Sequence, residues 1–114
     1  MSRLIEIRTN RLKPGTLDAF HHAMHTKAAP MIKAKGMDVV AYGRSGREEE
    51  TYFLVRSYAS RQTLEKEQND FYGSDDWRQG PRSELVDRIE TYVNTLMWVS
   101  ESAVASMREL NQVK

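Results

Sequence analysis

The sequence has no cysteine among its 114 residues and only three prolines and six glycines. The lack of cysteine excludes disulfide bonds, thiolate nucleophiles and zinc sites built on thiolates. No apolar run is as long as a membrane span, and the first ten residues do not have the apolar core of a signal peptide. The 17 basic and 16 acidic residues leave a net charge of only +1, so no basic field is available to bind a phosphate backbone. We therefore expect a cytoplasmic protein whose partners include neither nucleic acid nor a membrane.

The periodicity of the apolar residues predicts a single α+β domain. Strands are indicated by alternation with a period of two, and helices by apolar stripes with a period near 3.6. Pro30 should kink the first helix, and Ser60 is a good N-cap for the second. The order strand, helix, strand, strand, helix, strand is typical of a ferredoxin-like fold, a four-stranded antiparallel sheet with both helices on one face. The predicted strands are 4–12, 37–44, 51–58 and 91–99, and the main helices are 17–35 and 61–71, followed by a broken helical region and a helix at 100–110.

Three stretches of the sequence resemble bacterial proteins of the NIPSNAP family. They are IEIRTNRLKPGTLDAF, YFLVRSYAS, and FYGSDDWRQGPR followed by RIETY, and the resemblance covers residues 3 to 99 in order. It implies a dimeric α+β barrel in which two ferredoxin-like sheets face each other, and a family with mostly no established reaction. We accordingly predict a NIPSNAP-like domain at residues 1–100, a C-terminal helical extension at 101–114, and a homodimer.

The alternation in the strands separates an apolar sheet face from a mixed one. We expect the apolar face, with Ile5, Ile7, Phe53 and Val55, to lie under the helices. The mixed face would then be covered by a second copy of the chain and would line a semi-polar barrel cavity for a small anionic or aromatic ligand. The alternative is that its charged residues simply pair across neighbouring strands. The predicted ligand-binding residues are Glu6, Arg8, Tyr42, Arg56, Tyr58 and Trp98.

Residues 71–82, FYGSDDWRQGPR, combine helix breakers with aromatic and basic side chains. Gly73, Ser74, Gly80 and Pro81 should divide this region into short pieces. Tryptophan is usually buried, so Trp77 and its neighbour Tyr72 are expected to anchor the segment. Because loops at a cavity mouth often determine specificity, we predict that the cavity rim contains Tyr72, Trp77, Arg78 and Arg82.

The HHAMH stretch is the only candidate metal site in the sequence. His21 and His25 are four residues apart and share a helix face. A metal site would need two further ligands, but His22 points away from this face and the sequence has no cysteine or further histidine. Acidic residues could supply them, but no motif such as HExxH points to one. No GxSxG elbow marks a serine nucleophile either. We therefore expect no metal and no cofactor.

Three functions remain open at this point. The preferred one is a small-molecule-binding homodimer. The second is a cofactor-free, monooxygenase-like enzyme acting on an aromatic substrate, because the same barrel architecture hosts such enzymes. The third is a protein-interaction module in which the C-terminal helix makes the contact.

Overall fold

The computed structural model describes residues 1–112, with side chains described up to residue 109. Four strands form one antiparallel sheet in the order β2-β3-β1-β4, which confirms the predicted ferredoxin-like arrangement. None of the helices within residues 1–112 is long and apolar enough to cross a membrane. The last two residues of the predicted extension, 113–114, lie outside the described part. The strands are β1 (Ser2–Leu12), β2 (Asp38–Arg44), β3 (Thr51–Tyr58) and β4 (Ile89–Ser100), and the helices are α1 (Leu17–Ala23), α2 (Ala29–Ala34), α3 (Arg61–Tyr72), α4 (Asp75–Gln79), α5 (Arg82–Val86) and α6 (Glu101–Gln112).

Local capping chemistry explains where several helices begin. The Ser60 hydroxyl accepts a hydrogen bond from the Thr63 backbone N–H at 3.1 Å and starts α3, as predicted. Ser74 caps α4 in the same way, with its hydroxyl 3.3 Å from the Trp77 nitrogen. The start of α1 is different, because a distant carboxylate performs the capping. Glu50, on the segment before β3, accepts hydrogen bonds from the backbone N–H groups of Gly15 and Leu17 at 2.7 and 2.9 Å.

The first helix is interrupted shortly before Pro30, as the sequence predicts. Residues Met24–Ala28 form a π-helical turn between α1 and α2. Proline has no N–H to donate to the carbonyl four residues earlier, and its ring crowds that carbonyl, so a regular α-helical turn is disfavoured here. The wider π turn removes this conflict.

The helices cover the mixed face of the sheet, and the prediction that they cover the apolar face is wrong. Glu6 and Arg56 are antiparallel partners on β1 and β3, and both lie beneath the helical layer. The residues predicted to share this face do share it, since Leu96 and Trp98 lie beside Glu6 and Leu4 in the register. The alternation of residues along a strand determines which side chains share a face, but it does not determine which face the helices cover. The charges are tolerated under the helices because they are paired with each other.

The apolar face points away from this layer and is partly covered by α6. Val104 of α6 packs against a cluster consisting of Ile5, Val40, Ala41 and Val55. The helix is tied to β2 by Arg108, which donates two hydrogen bonds to the Asp38 carboxylate at 2.6 and 2.5 Å. On the β4 side of the same face, Val93 and Met97 remain exposed.

Candidate functional site

A pocket of about 410 Å³ lies between the helix-facing side of the sheet and the helical layer. This volume is in the range of pockets that hold small organic ligands. Apolar side chains from five elements and the π turn form about half of its wall, and polar groups come from β1, α3 and α5. The apolar lining consists of Phe20, Met24, Leu54, Trp77, Leu85, Val86 and Ile89, and the polar lining of Arg8, Asn10, Gln68, Tyr72 and Arg82.

A buried hydrogen-bond network fixes two of the polar lining residues. Arg56 donates to the Glu6 carboxylate at 2.5 Å and to the Tyr72 hydroxyl at 2.8 Å. Gln68 donates to Glu6 at 3.0 Å and to the Tyr58 hydroxyl at 3.1 Å. Burial raises the pKa of Tyr58 to about 12, so its phenol stays neutral. Because Gln68 and Tyr72 both belong to α3, the network sets the position of this helix over the sheet.

Arg8 is oriented by contacts on the β4 side of the pocket. Its Nε donates to Asn94 Oδ1 at 2.9 Å, and its guanidinium carbon lies 4.8 Å from the centre of the Tyr92 ring. The Nη2 atom is 3.7 Å from Glu6, whose other oxygen is already bound by Arg56. The guanidinium of Arg8 is therefore held in place at the pocket, and its positive charge is only weakly neutralised.

Asn10 is a lining residue that the sequence analysis missed. It is only 3% exposed, and its Oδ1 has no hydrogen-bond partner among the described residues. A buried amide oxygen without a partner is unusual, since more than nine in ten buried polar groups are hydrogen-bonded. The alternation of β1 could have identified it, because it places Asn10 on the same face as Glu6 and Arg8.

The predicted site residues fall into three groups. Arg8, Tyr72, Trp77 and Arg82 line the pocket together. Glu6, Arg56 and Tyr58 are buried in the network described above and are not part of the lining. The others lie elsewhere: the Tyr42 hydroxyl is 2.7 Å from His25 Nδ1, Trp98 is 58% exposed on β4, and Arg78 is exposed on α4.

Two of the three histidines of the HHAMH stretch, His21 and His25, each contact a tyrosine of the sheet. Nδ1 of His21 is 2.6 Å from the hydroxyl of Tyr52, which is fully buried. His21 and His25 stack with ring centres 5.8 Å apart. Burial lowers the pKa of His21, and the neighbouring His25 and Arg44 lower it further. Within residues 1–112 no three side chains of the metal-binding types come together.

Comparison with known proteins identifies the fold. No protein-family model and no curated protein matches the sequence. Among solved structures, the chain is similar to a NIPSNAP family protein of unknown function from Agrobacterium tumefaciens, with 20% identity and a TM-score of 0.79 over 86% of this chain and 88% of that one. A second NIPSNAP family protein from the same organism gives 12% identity and a TM-score of 0.80 over 90% of each chain.

A further similar structure comes from Bordetella bronchiseptica and is named after the antibiotic biosynthesis monooxygenases. Its identity is 19% and its TM-score 0.62, over 89% of this chain and 98% of that one. The class of protein is thus the ferredoxin-like α+β fold that these structures share. Within that class, the chain has the fold of the NIPSNAP family proteins to which it is similar.

Proposed function

We propose that this NIPSNAP-like protein is a homodimer in which each subunit binds a small organic molecule in the pocket between its sheet and its helices. The observation that supports this most directly is Asn10, whose buried amide oxygen lacks a partner in the wall of the pocket. A buried polar group without a partner costs free energy that a bound ligand can recover. A wall that combines apolar side chains with convergent polar groups is typical of ligand sites.

The proposed site differs from the barrel cavity expected from the sequence. The mixed face of the sheet lies under the helices of its own chain, so Arg8 meets a ligand inside one subunit. Arg56, by contrast, has both Nη atoms engaged by Glu6 and Tyr72 and is fully buried. In the proposal, Arg56 therefore supports Tyr72 and does not touch the ligand.

A pocket-filling substitution tests ligand binding. Val86 lines the pocket at the exposed end of α5, whereas its exposed neighbour Asp87 does not line it. Fragments that bind the wild type in ligand-observed NMR should lose binding in Val86→Trp and keep it in Asp87→Trp. Binding that persists in Val86→Trp, or a library that yields no fragment bound to the wild type, would contradict the proposal.

The proposed dimer uses the apolar face of the sheet. Val93 and Met97 are exposed there beside the partly buried Ile7 and Phe53, and an apolar face of this kind is typical of a surface that a partner covers. Two such sheets facing each other would bury these side chains in a symmetric interface.

A cytoplasmic location remains a prediction, which fractionation of the native host would test.

A monooxygenase-like activity is the second candidate, and the similarity to the Bordetella bronchiseptica structure favours it. Under this alternative, the pocket would bind an aromatic substrate and exclude water during its oxygenation. Oxygen uptake with electron-rich phenols in the absence of added cofactor would support it, if the product has gained one oxygen atom and lost two hydrogen atoms, with the second oxygen atom reduced to water. The third candidate, protein interaction through α6, is less favoured because the apolar side of α6 already packs on its own sheet.

A further inference from the structure

We infer that the ligand of this pocket is a small organic acid with a flat apolar body and a second polar group, whose carboxylate binds Arg82 and Arg8 and whose second group binds Asn10. The inference rests on the proposed function and specifies the ligand class for the same site. It depends on the charge of the lining, the unpartnered amide and the spacing between them.

The charge of the pocket favours an anion. Arg8 and Arg82 supply guanidinium groups from the sheet and from α5, and no Asp or Glu is among the described lining residues. Arg82 makes no hydrogen bond or ion pair with any residue in the part of the chain that the structure describes. Glu6 is next to the pocket, but it already accepts hydrogen bonds from Arg56, Gln68 and Asn94. A carboxylate can bind a guanidinium through two parallel hydrogen bonds, whereas a cationic ligand would be repelled.

The position of Asn10 indicates a second polar group on the ligand. Asn10 follows Arg8 by two residues on the same face of β1, so their Cα atoms are about 7 Å apart along the strand. A six-membered ring with substituents on opposite sides bridges a gap of this order. Phe20, Leu54 and Trp77 provide apolar surface for such a ring. A hydroxyl group donating to Asn10 Oδ1 would give this oxygen its missing partner.

Matched acids and carboxamides test the ligand class. The probes are hydroxy-substituted benzoates, cinnamates and naphthoates, each compared with its carboxamide and with the acid that lacks the hydroxyl. We expect the wild type to bind the acids at least about tenfold more tightly than the carboxamides, since a charge-assisted hydrogen bond contributes more than a neutral one. Arg82→Met should remove this preference, whereas Arg78→Met should keep it, because both arginines are exposed but only Arg82 lines the pocket.

Asn10→Leu tests the second contact. This variant should bind hydroxylated and unsubstituted acids equally, because the group that distinguishes them is gone. Its melting temperature should equal or exceed that of the wild type, since a buried amide oxygen without a partner is replaced by an apolar side chain of similar size. A retained preference for the hydroxylated acids in Asn10→Leu would overturn the role of Asn10.

The possible failures can be told apart. If acids and carboxamides bind the wild type equally and Val86→Trp still abolishes binding, the pocket binds ligands but the anionic class is wrong. If Arg82→Met and Arg78→Met weaken binding of the acids to the same extent, the carboxylate does not bind Arg82 and the inference is wrong. If none of the probes and no library fragment binds the wild type, or if Val86→Trp has no effect, the proposed function fails and the inference fails with it.

Discussion

At the scale of single residues, Glu6 and Arg56 form an ion pair that is shielded from water. Their side chains are 2% and 0% exposed, with 2.5 Å between the paired atoms. Desolvation of two charges is costly, and the cost is offset here because Gln68, Asn94 and Tyr72 contribute additional hydrogen bonds. The cross-strand pairing left open by the sequence is thus present, and it serves to align α3 with the sheet.

The lowered pKa of His21 makes the stability of the protein depend on pH. The ordinary value of 6.5 applies in the unfolded chain, so at pH values below it the unfolded state binds more protons than the folded state. Stability should therefore fall as the pH decreases from about 6.5 through the lower folded-state pKa. The carboxylates with lowered pKa values, such as Glu50 and Glu84, lose their contributions only near and below their ordinary value of 4.5. The interval between pH 6.5 and 5 therefore reports mainly on His21.

Melting temperatures measured between pH 7 and 5 test this dependence. His21→Asn should flatten the decrease, because Asn cannot take up a proton next to His25. His22→Asn is the matched control, since His22 is exposed on the same helix and has only the smallest effect on the pKa of His21, so most of the decrease should remain. The same pH profile in both variants would show that His21 is not responsible.

At the scale of elements, an aromatic cluster joins α3 to α4 and packs both against the core. Trp77 lies 5.2 Å from Phe71 and 5.3 Å from Tyr72, measured between ring centres, and it is buried as the sequence predicted. Trp77 also lines the pocket, so the helical segment and the pocket wall depend on the same side chain.

Truncation of the Trp77 side chain should destabilise the folded protein. Trp77→Ala should lower the free energy of unfolding by about 3–5 kcal/mol, which is typical of a large aromatic residue removed from a core. Arg78→Ala, at the exposed neighbouring position, should change it by less than about 0.5 kcal/mol. Urea denaturation of both variants measures the difference. A stable Trp77→Ala together with a destabilised Arg78→Ala would contradict the anchoring role.

The sequence predicts where helices and strands begin and end much better than it predicts which face of the sheet the helices cover. Ser60 and Ser74 mark helix starts through bonds to residues three positions away, so the signal is contained in a short window. The capping of α1 by Glu50 could not be predicted in this way, because the two groups are more than thirty residues apart. The pocket was missed for the same reason, since Asn10 and Arg82 meet only when the helices fold over the sheet.

At the scale of the whole molecule, the proposed dimer should bury side chains on one face of β4 and leave those on the other face accessible. Met97 is 44% exposed on the apolar face, next to Ile5, and the adjacent Trp98 points to the helix side next to Leu4. If two apolar faces meet in the dimer, only the first side chain is buried by association. A single charge there should be enough to separate the subunits, because it would be buried without a partner.

Light scattering coupled to size-exclusion chromatography distinguishes the two faces. We expect the wild type to be a dimer at micromolar concentration, Met97→Glu to be a folded monomer, and Trp98→Glu to remain a dimer. Circular dichroism would verify that both variants are folded. A monomeric wild type, or dissociation only in Trp98→Glu, would show that the apolar face is not the interface.

The central position of β1 has a consequence for synthesis of the protein. This strand is made before β4, yet it pairs with β4 along its whole length, from Ser2 beside Ser100 to Leu12 beside Ile89. Translation proceeds at roughly 5–20 residues per second, so one edge of β1 stays unpaired for several seconds while the intervening chain is produced. Exposed strand edges and apolar side chains promote association between unfinished chains. Slower translation between residues 12 and 89 would lengthen this interval, and chaperone binding to the nascent chain would matter most before β4 is complete.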